Sequence, residues 1–372
     1  MKIALLGFGV VGRGLYDLTL SRNDMQVAYV MCLEDVTLPG VTVTRNISDI
    51  LSDDSVDTVV EAMGGLHPAW DFVKAAIEAG KNVVTSNKAL VATFYDELLP
   101  LVQEKKVLFR CTAAVGGGIC WLSVLERVRR CETVVSLGGI MNGTCNYILD
   151  SMTSKGLDYS EALRQAQALG YAEANPSTDV DGIDTWHKLV ISANVAWGVS
   201  LDKATVPVSG IASIQACDIE QFKAHGLVCK LISTGICKDG VISAFVNPTL
   251  VSAASLEANV PLNYNLISFE GASCGPMKLY GQGAGRYPTA YNVLQDCVDL
   301  TLGKGYYSVC QGPAEAVNSL ERSFYVRGCS DSWLDSVTAE HWGEGVVTKP
   351  VSVDEMHRWL KNHPNVFMAA IA

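Results

Sequence analysis

Positive charge is scarce in this chain: 28 lysines and arginines stand against 39 aspartates and glutamates in 372 residues, a formal net charge of −11, with no basic cluster. Nucleic acid and anionic lipid surfaces are bound through concentrated Lys and Arg that release counterions, so neither is expected as a general partner, and an anionic ligand must be held by local chemistry. Long apolar runs are also missing. The longest, around LVISANVAWGVSL, falls short of the roughly 18 residues that suggest a membrane span. Twelve cysteines are present but no Cys-x-x-Cys pair, and most sit inside apolar segments such as GLVCKLIS, which suits reduced thiols rather than a disulfide framework. The six histidines, at 67, 187, 225, 341, 357 and 363, stand in no recognisable metal-ligand or thiol-protease context. Repeats and low-complexity segments are absent. The opening MKIALLGFGVVG has the basic start and apolar run of an export signal but no A-x-A-like cleavage site, and GRGLYDLTLSRND carries charge straight on into an amphipathic pattern. It reads as a strand entering a turn, and the chain as soluble and cytoplasmic.

What is present is apolar and periodic. At 49% hydrophobic and 18% charged residues, the chain can bury a large core and form two or three domains. Through the first third, KIALL, QVAYVM, VDTVVEAM, NVVTS and KVLFRCT alternate with the helical patterns GRGLYDLTLS, WDFVKAAIEAG and YDELLPLVQEK. Continuous apolar strands joined by crossover helices predict an α/β, Rossmann-like doubly wound parallel sheet over residues 1–134, completed by a returning helix near 283–301. Residues 135–282 read as an α+β domain, with helices at YSEALRQAQALGYAE and GIDTWHKLVISANVAWG and a hairpin turned by KDG. A tail over 322–372 reads strand, short helix, strand, helix, strand.

Gly7-x-Gly9-x-x-Gly12 follows the first strand and opens a helix at Val10 and Val11. Gly7 permits the tight turn, Gly9 lets backbone approach a pyrophosphate, Gly12 allows close helix–sheet packing, and the helix N-terminus offers unpaired N–H groups to the phosphates. Glu34 or Asp35, about 20 residues on, suits a ribose 2′-hydroxyl, and no base adjoins them, which favours NAD over NADP unless Arg13 or Arg45 arrives from elsewhere. Thr85, Ser86, Asn87 and Lys88 close a parallel strand at its carboxyl end, where open α/β sheets bind ligands; alone, Lys88 also reads as a surface lysine starting a helix. Asp184 and Lys188 share a helical face with Ile191 and Val195, and a buried Asp and Lys are costly unless paired and used. Glu173, Asp179 and Asp181 lie close by in sequence and fit a substrate ammonium better than a catalytic metal. Cys120 and Cys145 invite a nucleophilic reading, but no histidine partner is evident and buried structural thiols are the stronger reading.

Taken in order, GFGVVGRG, EAMGGLHPA, TSNKALVA, AAVGGGI, GGIMNGTCNYIL, GYAEANPSTDVDGIDTWHKLVI and GQGAGRYPTAYNVLQD closely resemble homoserine dehydrogenases over about residues 1–300. The resemblance implies reversible hydride transfer between NAD or NADP and the L-homoserine/L-aspartate 4-semialdehyde pair, on the branch to threonine, isoleucine and methionine, in a homodimer built through the second domain. It makes Lys188 and Lys88 the candidate proton-transfer groups and Asp184 their partner or a ligand of the substrate hydroxyl. Glu173 and Asp179 become the ammonium site, Thr144, Gly143 and Tyr171 complete the pocket, and Gly283 and Ala284 join Gly7, Gly9, Val10, Val11, Gly12, Ser86, Asn87 and Lys88 around the cofactor. A monovalent cation such as sodium is expected on backbone carbonyls at Val115, Gly117 and Ile119, although Thr112 stands where the family often has glutamate and Cys120 where proline usually follows. The tail resembles a shortened ACT regulatory module. Two other readings remain open: a dehydrogenase of another small amino acid or semialdehyde, and a non-catalytic sensor of dinucleotide and amino acid.

Overall fold

The computed structural model describes residues 1–305 and 312–372, and the chain divides into two compact units. The first comprises Met1–Cys131, Asn194–Ser200 and Gln282–Pro313; the second comprises Glu132–Ala193, Leu201–Gly281 and Ala314–Ala372.

The first unit is built on a six-stranded parallel sheet of β1 (Lys2–Leu6), β2 (Gln26–Met31), β3 (Thr42–Thr44), β4 (Thr58–Glu61), β5 (Asn82–Thr85) and β6 (Phe109–Arg110). Their order is β3-β2-β1-β4-β5-β6, so the direction of winding reverses at β1, the switch point beside which such sheets bind dinucleotides. Ile3, Leu5, Val27, Val30, Val60 and Val84 fill the centre, and each fully buried Val or Leu contributes roughly 1.5–3 kcal/mol. The helix Arg286–Thr301 returns to this core through Ala290, Val293 and Cys297. It packs against the helix Val10–Thr19, where a Cβ on Gly14 would meet Arg286 O at 2.9 Å.

The second unit carries a nine-stranded sheet: β7 (Val134–Ile140), β8 (Leu227–Lys238), β9 (Val241–Ser252), β10 (Tyr264–Gly271), β11 (Gly275–Gln282), β12 (Phe324–Arg327), β13 (Thr338–Trp342), β14 (Gly345–Thr348) and β15 (Phe367–Ile371). The order is β11-β10-β7-β8-β9-β15-β12-β14-β13. β8 and β9 form the hairpin read from KDG: Lys238 pairs directly with Val241 across Asp239 and Gly240, both at positive φ. The tail is not set apart. Its strands extend this sheet, β15 running parallel to β9, and Phe245 of β9 shares a core with Phe324, Val353, Met356 and Met368. Among the described residues, no helix is long and apolar enough to cross a membrane.

Candidate active site

In the first unit the glycine turn is shaped by backbone crowding. Gly7 adopts φ +94°, and a Cβ there would meet Ala62 O at 2.6 Å; a Cβ on Gly12 would meet Gly7 O at 2.2 Å. A Cβ on Gly9 would meet nothing within 4 Å. That open space lies at the start of the helix Val10–Thr19, whose N-cap, Gly9, supplies no side-chain hydrogen bond to the first turn. Uncapped N–H groups and the positive end of the helix dipole beside open space form a cradle that fits a pyrophosphate. At the end of β2 the two arginines named as bases that could arrive from elsewhere do so: Arg13 Nη2 donates to Glu34 at 2.5 Å, and Arg45 Nη2 to Asp35 at 2.8 Å.

At the carboxyl ends of β4 and β5 a fully buried Glu61 organises the chain. Its Oε1 accepts from the N–H groups of Met63 (2.8 Å) and Gly64 (3.2 Å), and its Oε2 accepts from Thr85 Oγ1. Thr85 Oγ1 in turn accepts from the Asn87 N–H at 2.9 Å. Asn87 caps the helix Lys88–Lys105 by accepting from Leu90 N–H, and its amide donates to Gly65 O at 2.6 Å. Ser86 and Lys88 flank this buried cap. Glu61 escapes a reading of the sequence, because one acid at the end of an apolar strand gives no local sign that two loops converge on it.

Two of the three expected cation carbonyls accept a side-chain hydrogen bond. The Asn292 amide donates to Gly117 O at 2.6 Å and to Ile119 O at 3.1 Å. Thr112 donates its hydroxyl to Asp296 Oδ1 at 2.6 Å, and Arg110 Nε donates to the same oxygen at 2.8 Å. Two of the three carbonyls thus each accept one bond from a neutral amide, and position 112 carries a hydroxyl in place of a carboxylate. Gly283 and Ala284 lie against this loop, since a Cβ on Gly117 would meet Gly283 O at 2.4 Å and Ala284 N at 2.7 Å.

In the second unit the helix Ile183–Trp197 presents Asp184 and Lys188 one turn apart, 4% and 7% exposed. Lys188 Nζ donates to Asp184 Oδ2 at 2.8 Å and to Met141 O at 2.6 Å. The Asn142 amide bridges two acids, donating to Asp184 Oδ2 at 2.8 Å and Asp179 Oδ1 at 2.7 Å. Asn142 also caps the helix Gly143–Lys155 by accepting from Cys145 N–H at 2.8 Å. Burial and the charge of Asp184 push the Asp179 carboxyl above its usual range, and the Asn142 bond opposes them. Thr144 Oγ1 donates to Tyr171 O at 2.6 Å, and Gly143 admits Asn263, whose carbonyl would lie 2.5 Å from a Cβ there. Glu173 is exposed on the following loop, and among the described residues its carboxylate takes no hydrogen bond from the buried cluster. Asp181 is likewise exposed.

The cysteines divide. Cys145 is fully buried, its thiol pushed well up by burial and then by Asp179 and Asp184, which removes it as a nucleophile. Cys120, expected to be buried, is exposed as the N-cap of the helix Trp121–Val128.

A family model described as the NAD binding domain of homoserine dehydrogenase matches residues 7–111, and one described as homoserine dehydrogenase matches residues 121–298. The chain is 36% identical over 316 residues to the homoserine dehydrogenase of Synechocystis, covering 81% of this chain and 73% of that one. With that of Corynebacterium glutamicum the identity is 37% over 336 residues, covering 85% and 75%. The chain belongs to the homoserine dehydrogenase family. The crystal structure of a homoserine dehydrogenase from Thiobacillus denitrificans superposes with a TM-score of 0.86 at 27% identity, covering 100% of this chain and 98% of that one. A family of oxidoreductases acting on a CH–OH group with NAD or NADP thus matches both the parallel sheet with its glycine turn and the unit that holds Asp184 and Lys188.

Proposed function

We propose that this chain interconverts L-homoserine and L-aspartate 4-semialdehyde, with Lys188 as the principal proton-transfer group. The observation that carries this reading is the buried Lys188, held between Asp184 and Met141 O. A lysine so placed is suited to moving a proton at a substrate oxygen, and Asp184 holds the ammonium that results. In the oxidising direction the substrate hydroxyl proton passes to lysine while the carbon-bound hydrogen departs as hydride. Bound, the nicotinamide supplies the hydride acceptor. Lys88, at the first turn of its capped helix, is the second candidate for the proton. Asp179 with Glu173 holds the substrate ammonium, and Gly143, Thr144 and Tyr171 shape the pocket wall.

Gly7, Gly9, Val10, Val11 and Gly12 hold the pyrophosphate, with Ser86, Asn87, Gly283 and Ala284 lining the cofactor. Glu34 takes the ribose 2′-hydroxyl, which favours NAD, while release of Arg13 and Arg45 from their acids admits NADP at lower efficiency. The chain works in the cytoplasm as a homodimer whose contact is made by the second unit, and the tail is a reduced regulatory module. Nicotinamide absorbance followed with L-homoserine and each cofactor tests the reading. Turnover with both and a higher kcat/KM for NAD is expected; dinucleotide binding without turnover on homoserine would overturn it in favour of a sensor or another substrate.

A further inference from the structure

The tail carries a cluster that the dehydrogenase chemistry does not use. Cys329, just past β12, Asp331, the N-cap of the helix Ser332–Val337, and His363, after the helix Val353–Leu360, bring one sulfur, one oxygen and one nitrogen within 4.8 Å of one another. The side chains are half-buried. The imidazole is oriented from behind: His363 Nδ1 lies 2.9 Å from Trp359 O, a carbonyl, so Nδ1 must carry the proton and donate. The ring stacks on Trp359, centroids 4.2 Å apart. That leaves Nε2 facing Asp331 Oδ2 at 3.3 Å. Two acceptors do not face each other at this distance without a proton or a cation between them. Asp331 is itself fixed as an anion, accepting from Leu334 N–H at 2.7 Å and Trp359 Nε1 at 2.8 Å; these bonds hold its carboxyl below the usual range.

We propose that Cys329, Asp331 and His363 form a binding site for Zn²⁺ or a similar borderline cation, with water in the fourth position. Thiolate, imidazole and carboxylate are the donor set zinc takes, and a ligating His with its other nitrogen on a backbone carbonyl is the usual supporting arrangement. Tetrahedral zinc sets its ligand atoms roughly 3.3–3.6 Å apart; Asp331 Oδ2 and His363 Nε2 already stand 3.3 Å apart, so rotation of the Cys329 side chain closes the cluster with Asp331 left in its hydrogen bonds. Binding releases the Cys329 thiol proton to solvent and ties together three segments: the end of β12, the start of the helix Ser332–Val337 and the turn after Val353–Leu360.

The test is titration of the full chain, stripped with chelator, with Co²⁺ as a spectroscopic stand-in. A thiolate-to-cobalt charge-transfer band saturating at one equivalent is expected, with quenching of tryptophan fluorescence and displacement by Zn²⁺. Cys329→Ser should abolish the band, and His363→Gln should weaken Co²⁺ binding at least about tenfold, or 1.4 kcal/mol. No band in the wild type means that His363 and Asp331 share only a proton and overturns the proposal; so does a band that survives Cys329→Ser unchanged, which would place the metal on another thiol. Both readouts are independent of dehydrogenase activity and so of the proposed function.

Discussion

The two units build their candidate sites from different material. The first relies on backbone: a glycine turn, an uncapped helix N-terminus and carbonyls gathered by Asn87 and Asn292. The second relies on side chains: a buried lysine paired with an aspartate, which the Asn142 amide ties to a second aspartate. Backbone sites bind what is always the same, a pyrophosphate, and tolerate change at their edges. Side-chain sites place charge where bonds break, and they lose most of their effect when one member goes. Unit by unit, single substitutions should therefore cost more in the second than in the first.

The largest expected effect is at Lys188. Lys188→Ala should lower kcat by about 10²–10⁴-fold, the usual range for a general acid–base group, while the dinucleotide Kd measured by fluorescence stays unchanged. An equal loss in dinucleotide affinity would erase the contrast between the units. If Lys88→Ala costs more in kcat than Lys188→Ala, the proton-transfer role moves to the first unit.

Next comes a stability effect confined to the second unit. His357 is buried, donates from Nε2 to Asn247 Oδ1 at 2.6 Å, and is pushed down to about 4 by burial. Its unfolded-state value is about 6.5, so the unfolded chain binds the proton first. The stability it contributes is fully present above pH about 6.5 and is lost as pH falls towards 4, by on the order of 3 kcal/mol. Denaturant unfolding of wild type and His357→Gln between pH 7 and 4 checks this: Gln keeps a donor for Asn247, and the variant should lose less stability on acidification.

Asn142→Ala should lower kcat/KM roughly 10–100-fold, since it removes two bonds to charged groups worth about 1.5–3 kcal/mol each. It also leaves Asp179 and Asp184 repelling each other without a shared donor. Loss of the Asn142 bond raises the Asp179 carboxyl further, so the acid limb of the kcat/KM profile should move to higher pH. An unshifted acid limb would mean that Asn142 serves only as a helix cap.

In the first unit, Gly9→Ala should leave stability within about 1 kcal/mol, because nothing in the protein occupies the space. The dinucleotide Kd should still rise about tenfold if, as proposed, the pyrophosphate approaches the backbone at Gly9. Gly12→Ala makes the contrast, with Gly7 O only 2.2 Å from the new carbon; it should destabilise the unit itself. Equal unfolding midpoints for the two variants would contradict this account of the turn.

These predictions follow the line between what the sequence discloses and what it hides. The parallel sheet is legible because buried strands and crossover helices repeat in period, and the KDG hairpin because both turn residues favour positive φ. β3 (TVT) and β13 (TAEHW) escape notice because they are short and lack an apolar signature. The helix Gly143–Lys155 escapes because GTCNYILDSMTSK mixes polar and apolar residues around the cylinder, and its Asn142 cap is the clearest local sign of it. Asp184 and Lys188 are legible through their spacing. Asn142, Glu61 and Asn292 are not, since each acts on residues distant in sequence or on backbone, and no periodicity records such a bridge. Arg13 and Arg45 could be named as candidate bases, but which acid each one meets is set by the folded strands.

The smallest expected effect concerns the monovalent cation that the family resemblance implies. A monovalent cation at Gly117 and Ile119 would have to share or displace the Asn292 amide, which already donates to both carbonyls. The neighbouring charge is settled as well: Asp296 is fully buried, taken by Arg110 and by the hydroxyl and N–H of Thr112. No carboxylate oxygen is left at position 112 to complete an oxygen shell. Replacing sodium and potassium by tetramethylammonium at constant ionic strength should change kcat/KM by less than about twofold. A larger loss, restored by sodium alone, would show that the amide yields to a cation and that this part of the first unit, too, depends on charge.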